Sequence, residues 1–246
     1  MAFALEIATS NPRAGRRFEP IQERELHRDA LAAAHGLPGA SRGLVVVPEF
    51  VGPIGIPDFT AYVGDIERLR HRHRLDVPPV LNELDAGVVT SAHVRRALGA
   101  EDLASAQGWP TAAISDRLRG LVRRGALVEV GADRYVRPDA MEPGGRLYAI
   151  EAKVEDWRSA LRQVRTYRVW ADSYVLVMGQ ITERAQAALV TEVKRDRGGL
   201  IVAGRWVVRP RLGNTVARRR VQAWELFAAA TEAGLQDPTL AVPVHA

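Results

Sequence analysis

Read for the spacing of its apolar positions, the chain opens into alternating helical and extended segments. In EPIQERELHRDALAAAHG, Glu23, Leu26, Ala30 and Ala34 recur near one face and Gly36 ends the run, which predicts a first helix with Glu23 toward its buried side. Two apolar, β-branched and aromatic runs follow, Leu44–Phe50 and Ile56–Val63. The turn VGPIG between them predicts a hairpin with Asp58 at the start of its second strand. From Gly64 the chain turns charged and reaches a double proline in DIERLRHRHRLDVPP, which reads as a linker.

Pro78 to Pro138 reads as a compact unit. It predicts helices over PVLNELDA, TSAHVRRALGA and TAAISDRLRGLVRRG, then two short strands, LVEV and RYVRP, joined by Gly131-Ala132-Asp133. Three helices followed by a hairpin is the pattern of a winged helix. After a second linker, DAMEPGG, the strand LYAIEAKV leads into an amphipathic helix from Glu155 to Trp170 and the apolar strand SYVLVM. Strand, helix and apolar strand in succession predict a parallel pair buried beneath helices. A helix, two further strands and a closing helix complete the chain. The fold class is therefore α/β, one mixed-sheet core flanked by helices and interrupted by a small helical domain. The boundaries are 1–75 for the first part of the core, 76–140 for the inserted domain and 141–246 for the second part.

Composition narrows the chemistry. With 246 residues, 47% of them hydrophobic, the chain can bury a sizeable core, and the absence of cysteine excludes disulfides, thiolate metal sites and a cysteine nucleophile. The N-terminal residues do not read as a secretory signal, and no apolar run is long enough to span a bilayer, so a cytoplasmic protein without a membrane partner is expected. The net charge of +5 permits attraction to a polyanion. Because 32 of the 34 basic residues are Arg, a single arginine carries little information, whereas the two lysines, Lys153 and Lys194, carry more.

Lys153 lies two residues after Glu151, so in a strand both side chains leave one face near its carboxyl end. Charged residues interrupting the apolar strands are few: Glu49, Asp58, Glu151 and Lys153. This set suits metal-assisted phosphodiester hydrolysis. Asp58 and Glu151 would hold Mg²⁺, for which Mn²⁺ can substitute, and a lysine, compact and tunable where arginine is not, would orient the attacking water. A same-face ion pair on an edge strand is the alternative reading of Glu151 and Lys153.

Pro57-Asp58 followed on the next core strand by Glu151-Ala152-Lys153 resembles the PD-(D/E)xK nuclease superfamily, whose restriction-endonuclease-like core runs helix, β-hairpin, strand, helix, strand. The resemblance implies a DNA-cleaving enzyme with Asp58, Glu151 and Lys153 catalytic and the Ala152 carbonyl a further metal ligand. Gln163 and Tyr167, spaced i and i+4 on the next helix, resemble the QxxxY extension of recombination-type members. Glu23 and Glu49 resemble accessory acids of some members, and pairing within the superfamily allows a homodimer. In the inserted winged-helix domain, Ser115, Arg117, Arg119, Arg123 and Arg124 on the third helix and Arg134 on the wing are candidates to contact duplex DNA. Two other readings stay open: a DNA-binding regulator whose α/β core only dimerises, and a nuclease directed at RNA.

Overall fold

Runs of β-branched residues that lack charge on either face can be satisfied only in the middle of a sheet covered on both sides, and this rule organises the molecule. The computed structural model describes residues 4–7, 21–236 and 241–243. Helix α1 spans Ile21–His35; the short strand β1, Ala4–Ile7, precedes it. Strands β2 (Leu44–Pro48) and β3 (Phe59–Gly64) form the expected antiparallel hairpin, with Pro48 opposite Phe59. Asp58 therefore stands one residue before its strand. Strand β3 begins only after Pro57, which has no N–H to give to a ladder.

Residues read as a linker form instead a helix, α2 (Ile66–Arg74), started by the Asp65 side chain, which accepts from the Glu67 N–H at 3.0 Å. The expected first and second helices of the following segment are displaced. Helix α3 covers Glu83–Ser91, with Asn82 as its cap in place of the prolines before it. Residues 92–97 are not helical; Leu98–Gly99 form β4, which pairs with the later hairpin, and helix α4 occupies Ala100–Gln107. Helix α5 (Thr111–Arg123) and strands β5 (Val128–Gly131) and β6 (Arg134–Val136) lie close to where they were expected. The segment is thus helix, strand, two helices and a hairpin, its small sheet ordered β4-β6-β5.

The chain then returns to the main sheet as β7 (Gly145–Lys153), followed by α6 (Trp157–Tyr167), β8 (Ser173–Met178), α7 (Glu183–Asp196), β9 (Gly199–Val202), β10 (Arg205–Val208), α8 (Ala217–Gln236) and β11 (Ala241–Pro243). Six strands in the order β10-β9-β8-β7-β3-β2 form a mixed sheet, which β1 and β11 extend at one edge. Strand β7 is central, antiparallel to β3 and parallel to β8. That position removes the edge-strand reading of Glu151 and Lys153.

Each face of the sheet has its own core. On one, Leu26, Ala30 and Ala34 of α1 pack over Val46, Ala61, Ile150 and Val177. On the other, Ala160, Leu161 and Val164 of α6 and Trp224 and Phe227 of α8 cover Val45, Val47, Tyr62, Ala149 and Leu176. Helix α8 also contributes Val221 to the third core, built from α3, α4 and α5. It is tied to that segment by Arg218 and Arg219, both on Glu83, and by Gln222 Nε2, which donates to the Leu81 carbonyl at 2.6 Å. Among the described residues no helix is long and apolar enough to cross a membrane.

Candidate functional site

Strand β7 sends alternate side chains to opposite faces, so Glu151 and Lys153 follow Leu147 and Ala149 onto the face covered by α6 and α8. Register brings Asp58 to the same level. Phe59 pairs with Ile150, and one step further along the two antiparallel strands Asp58 stands across from Glu151. Its carboxylate Oδ2 accepts a 2.8 Å hydrogen bond from the backbone N–H of Ala152, between Glu151 and Lys153. Two segments 94 residues apart in sequence thereby meet at one point.

Glu151 is fully buried and Asp58 nearly so. The Tyr167 hydroxyl donates to Glu151 Oε2 at 3.1 Å and itself accepts from Gln163 Nε2 at 3.0 Å. The spacing of these two residues on α6 predicted their neighbourhood, and the helix delivers both to the strand end. Lys153 Nζ faces the other oxygen, Glu151 Oε1, at 3.3 Å. That is an ion-pair distance, but Oε1 receives no aligned hydrogen bond. Burial first, and the neighbouring Asp58 charge second, push the Glu151 carboxyl up to about 7, against the opposing pull of Lys153 and Tyr167. The Tyr167 hydroxyl is raised by its own burial and then by Glu151.

The accessory residues divide. Glu49 closes the β2–β3 loop: its N–H donates to the Asp58 carbonyl at 2.9 Å, from a backbone at φ 49°. It belongs to the neighbourhood by position. Glu23 lies on α1, but its side chain is outside the described residues. Sequence reasoning missed Thr60, on the Asp58 face of β3, whose Oγ1 is buried without a partner. It also missed Trp170, whose indole N–H donates to the Ile54 carbonyl at 3.0 Å and so holds the loop between Glu49 and Asp58. A signal existed for Trp170: a tryptophan after the amphipathic helix, paired with a glycine-rich turn that leaves room for a ring.

The donor set is compatible with a small hard cation that keeps several waters, for which one or two carboxylates suffice. Asp58 and Glu151 offer them, one with an oxygen that no aligned donor occupies. Among the described residues no group of three or more His, Asp or Glu is arranged as a complete protein cage.

The basic residues of α5 are less available than expected. Arg117 and Arg124 turn onto the single carboxylate of Asp85, at 2.9 and 2.8 Å, and bind α5 to α3. Arg119 pairs with Asp116, and Ser115 Oγ donates to the Thr111 carbonyl at 3.0 Å. Arg134 reaches back to the Ala97 carbonyl at 2.6 Å. Arg123 is exposed. Two of the five residues expected to face DNA from α5 and its end, Arg117 and Arg124, thus serve internal packing. No protein-family model, curated protein or solved structure matches the chain.

Proposed function

We propose that the chain is a metal-dependent nuclease of the PD-(D/E)xK type that hydrolyses DNA phosphodiester bonds. One observation carries this reading: the Asp58 carboxylate is hydrogen-bonded to the backbone between Glu151 and Lys153, so the two halves of a split motif coincide in space. In this reading the six-stranded core is restriction-endonuclease-like, and residues 76–140 are a winged-helix domain that holds duplex DNA. The order helix, strand, helix, helix, strand, strand supports the second assignment.

Asp58 and Glu151 would hold Mg²⁺, or Mn²⁺ in its place, with the Ala152 carbonyl as a further ligand. When bound, the ion would acidify a water and neutralise charge building on the scissile phosphate. Tyr167 fixes Glu151 Oε2 through its hydroxyl proton and leaves Oε1 on the side of Lys153. At neutral pH the raised Glu151 carboxyl shares its population between protonated and ionised forms, so a cation at the site competes with a proton on the same group. The Lys153 ammonium orients the attacking water and opposes negative charge in the transition state, which a bulky, always-charged guanidinium would do less well. Gln163 steadies Tyr167. Of the basic residues, Arg123 and Arg119 are assigned to phosphate contact, whereas Arg117 and Arg124 act mainly within the fold.

Nicking of supercoiled plasmid in Mg²⁺ or Mn²⁺ tests the assignment, with Asp58→Asn and Lys153→Ala beside the wild type. Loss of one well-placed charge lowers the rate by about 10²–10³-fold. Equal nicking by all three proteins, or none by the wild type on any DNA form, would remove the enzymatic reading; cleavage of structured RNA alone would redirect it.

A further inference from the structure

The loop joining the two acids of the hairpin, Val51 to Pro57, contains no charged or polar side chain in a chain otherwise rich in arginine. Phe50 at its base turns inward onto Trp170, ring centroids 5.7 Å apart, and Pro57 at its end is buried. Val51, Ile54 and Ile56 between them are 56%, 40% and 50% exposed. Single exposed aliphatics are ordinary on protein surfaces, whereas three in one short loop place apolar side chains together where water covers them.

This loop is held, and it is held by the site. Gly52 N–H donates to the Gly55 carbonyl at 3.1 Å, and Trp170 Nε1 donates to the Ile54 carbonyl. Gly52 lies so close to Trp170 that a Cβ there would stand 2.8 Å from the ring. Gly55, at φ 75°, lies on Tyr167, where a Cβ would stand 2.7 Å away. Tyr167 is the residue whose hydroxyl holds Glu151. The apolar tip is therefore fixed to the carboxylate cluster at three points, Glu49, Asp58 and Tyr167.

We propose that this loop is an apolar wedge that recognises unstacked bases, so that the substrate is nucleic acid with a distortion rather than regular duplex. The inference rests on the nuclease reading of the same site. Because Tyr167 touches Gly55 of the loop and also holds Glu151, the partner of Lys153, a backbone phosphate at Lys153 would bring the adjoining nucleotides toward the loop, and an uncharged tip gains nothing from phosphates. It gains from the face of a base, which a regular duplex covers by stacking and which a bulge, frayed end or mismatch exposes at low cost. A tip fixed in advance loses little entropy on contact.

Fluorescence anisotropy at a stated salt concentration, in EDTA, can compare one duplex sequence with and without a short bulge. The proteins are the wild type and the triple variant Val51→Ser, Ile54→Ser, Ile56→Ser, whose changes all fall on exposed positions. The wild type should bind the bulged duplex at least about fivefold more tightly, the size of one stacked contact. The triple variant should bind both forms equally, with matched-duplex affinity unchanged. Equal binding by the wild type, or a preference surviving in the variant, overturns the proposal. So does a lower mass of the variant in sedimentation, which would mean that the loop covers a second copy of the chain. Plasmid nicking separates the two readings. Nicking without bulge preference defeats the wedge alone, whereas bulge preference without nicking defeats the chemistry and leaves the wedge in place.

Discussion

Two buried carboxylates in this molecule live in opposite circumstances. Glu225 of α8 is saturated: Arg72 donates to it from Nε at 2.9 Å and from Nη2 at 2.6 Å, and the Val80 N–H adds a third bond at 3.1 Å. The same guanidinium also donates to the Val77 carbonyl, so little of the pair's bonding capacity is wasted. Glu151 of β7 is equally buried, yet it holds one hydrogen bond, from Tyr167, and one loosely aligned ammonium, from Lys153. Its carboxyl is raised, by burial and by Asp58. Glu225 is thus satisfied on every side, while Glu151, under-satisfied beside a second acid, is perturbed in the way groups at sites of chemistry often are.

The contrast predicts opposite responses to mutation. Glu225→Ala strands Arg72 in the joint between α2, α8 and the prolines before α3, and should cost about 3–5 kcal/mol in denaturant unfolding. Lys153→Ala, by comparison, should cost less in the same unfolding assay while lowering nicking by about 10²–10³-fold, because Glu151, whose carboxyl is already raised, can answer the lost ammonium by taking up a proton. Should Lys153→Ala unfold the chain as Glu225→Ala does, Glu151 and Lys153 would be architectural too.

A smaller effect is expected from pH. The folded-state value of Glu151, about 7, lies above its ordinary 4.5, so the folded chain favours the protonated form. The stability this contributes is complete below about 4.5 and is lost as pH rises through 7. In the metal-free protein the wild type should lose stability relative to Glu151→Gln over that interval, measured as the denaturant midpoint at several pH values. Parallel profiles for the two proteins would mean that the site does not strain Glu151.

The same contrast explains what could be read from the sequence. Strand β8 was legible to the residue, and β7 and α6 nearly so, because continuous apolar runs and a clean helical stripe are local signals. The meeting of Asp58 with the Glu151 strand was expected from the resemblance of the split motif, because patterning fixes the β2–β3 hairpin but not the pairing of β3 with β7 across the intervening segment. Helix α2 was missed because its charged surface hid the burial of Arg72, whose partner Glu225 lies 153 residues away. The second helix of the 76–140 segment was misplaced because Leu98, which looked like part of a helical stripe, pairs as a strand with Tyr135. Arg117 and Arg124 looked like a DNA-facing row; only the fold reveals that Asp85 draws both inward. Sequence patterning exposes what a segment does with itself and conceals charges satisfied from afar.

The claim that Asp58 and Glu151 form a metal site beside Lys153 is tested most directly by a crystal soaked in Mn²⁺ and read by anomalous scattering. The account predicts one ion within about 2.0–2.5 Å of an oxygen of each carboxylate, absent from an Asp58→Asn crystal treated alike. An ion bound elsewhere, or none at this pair at millimolar Mn²⁺, would contradict it.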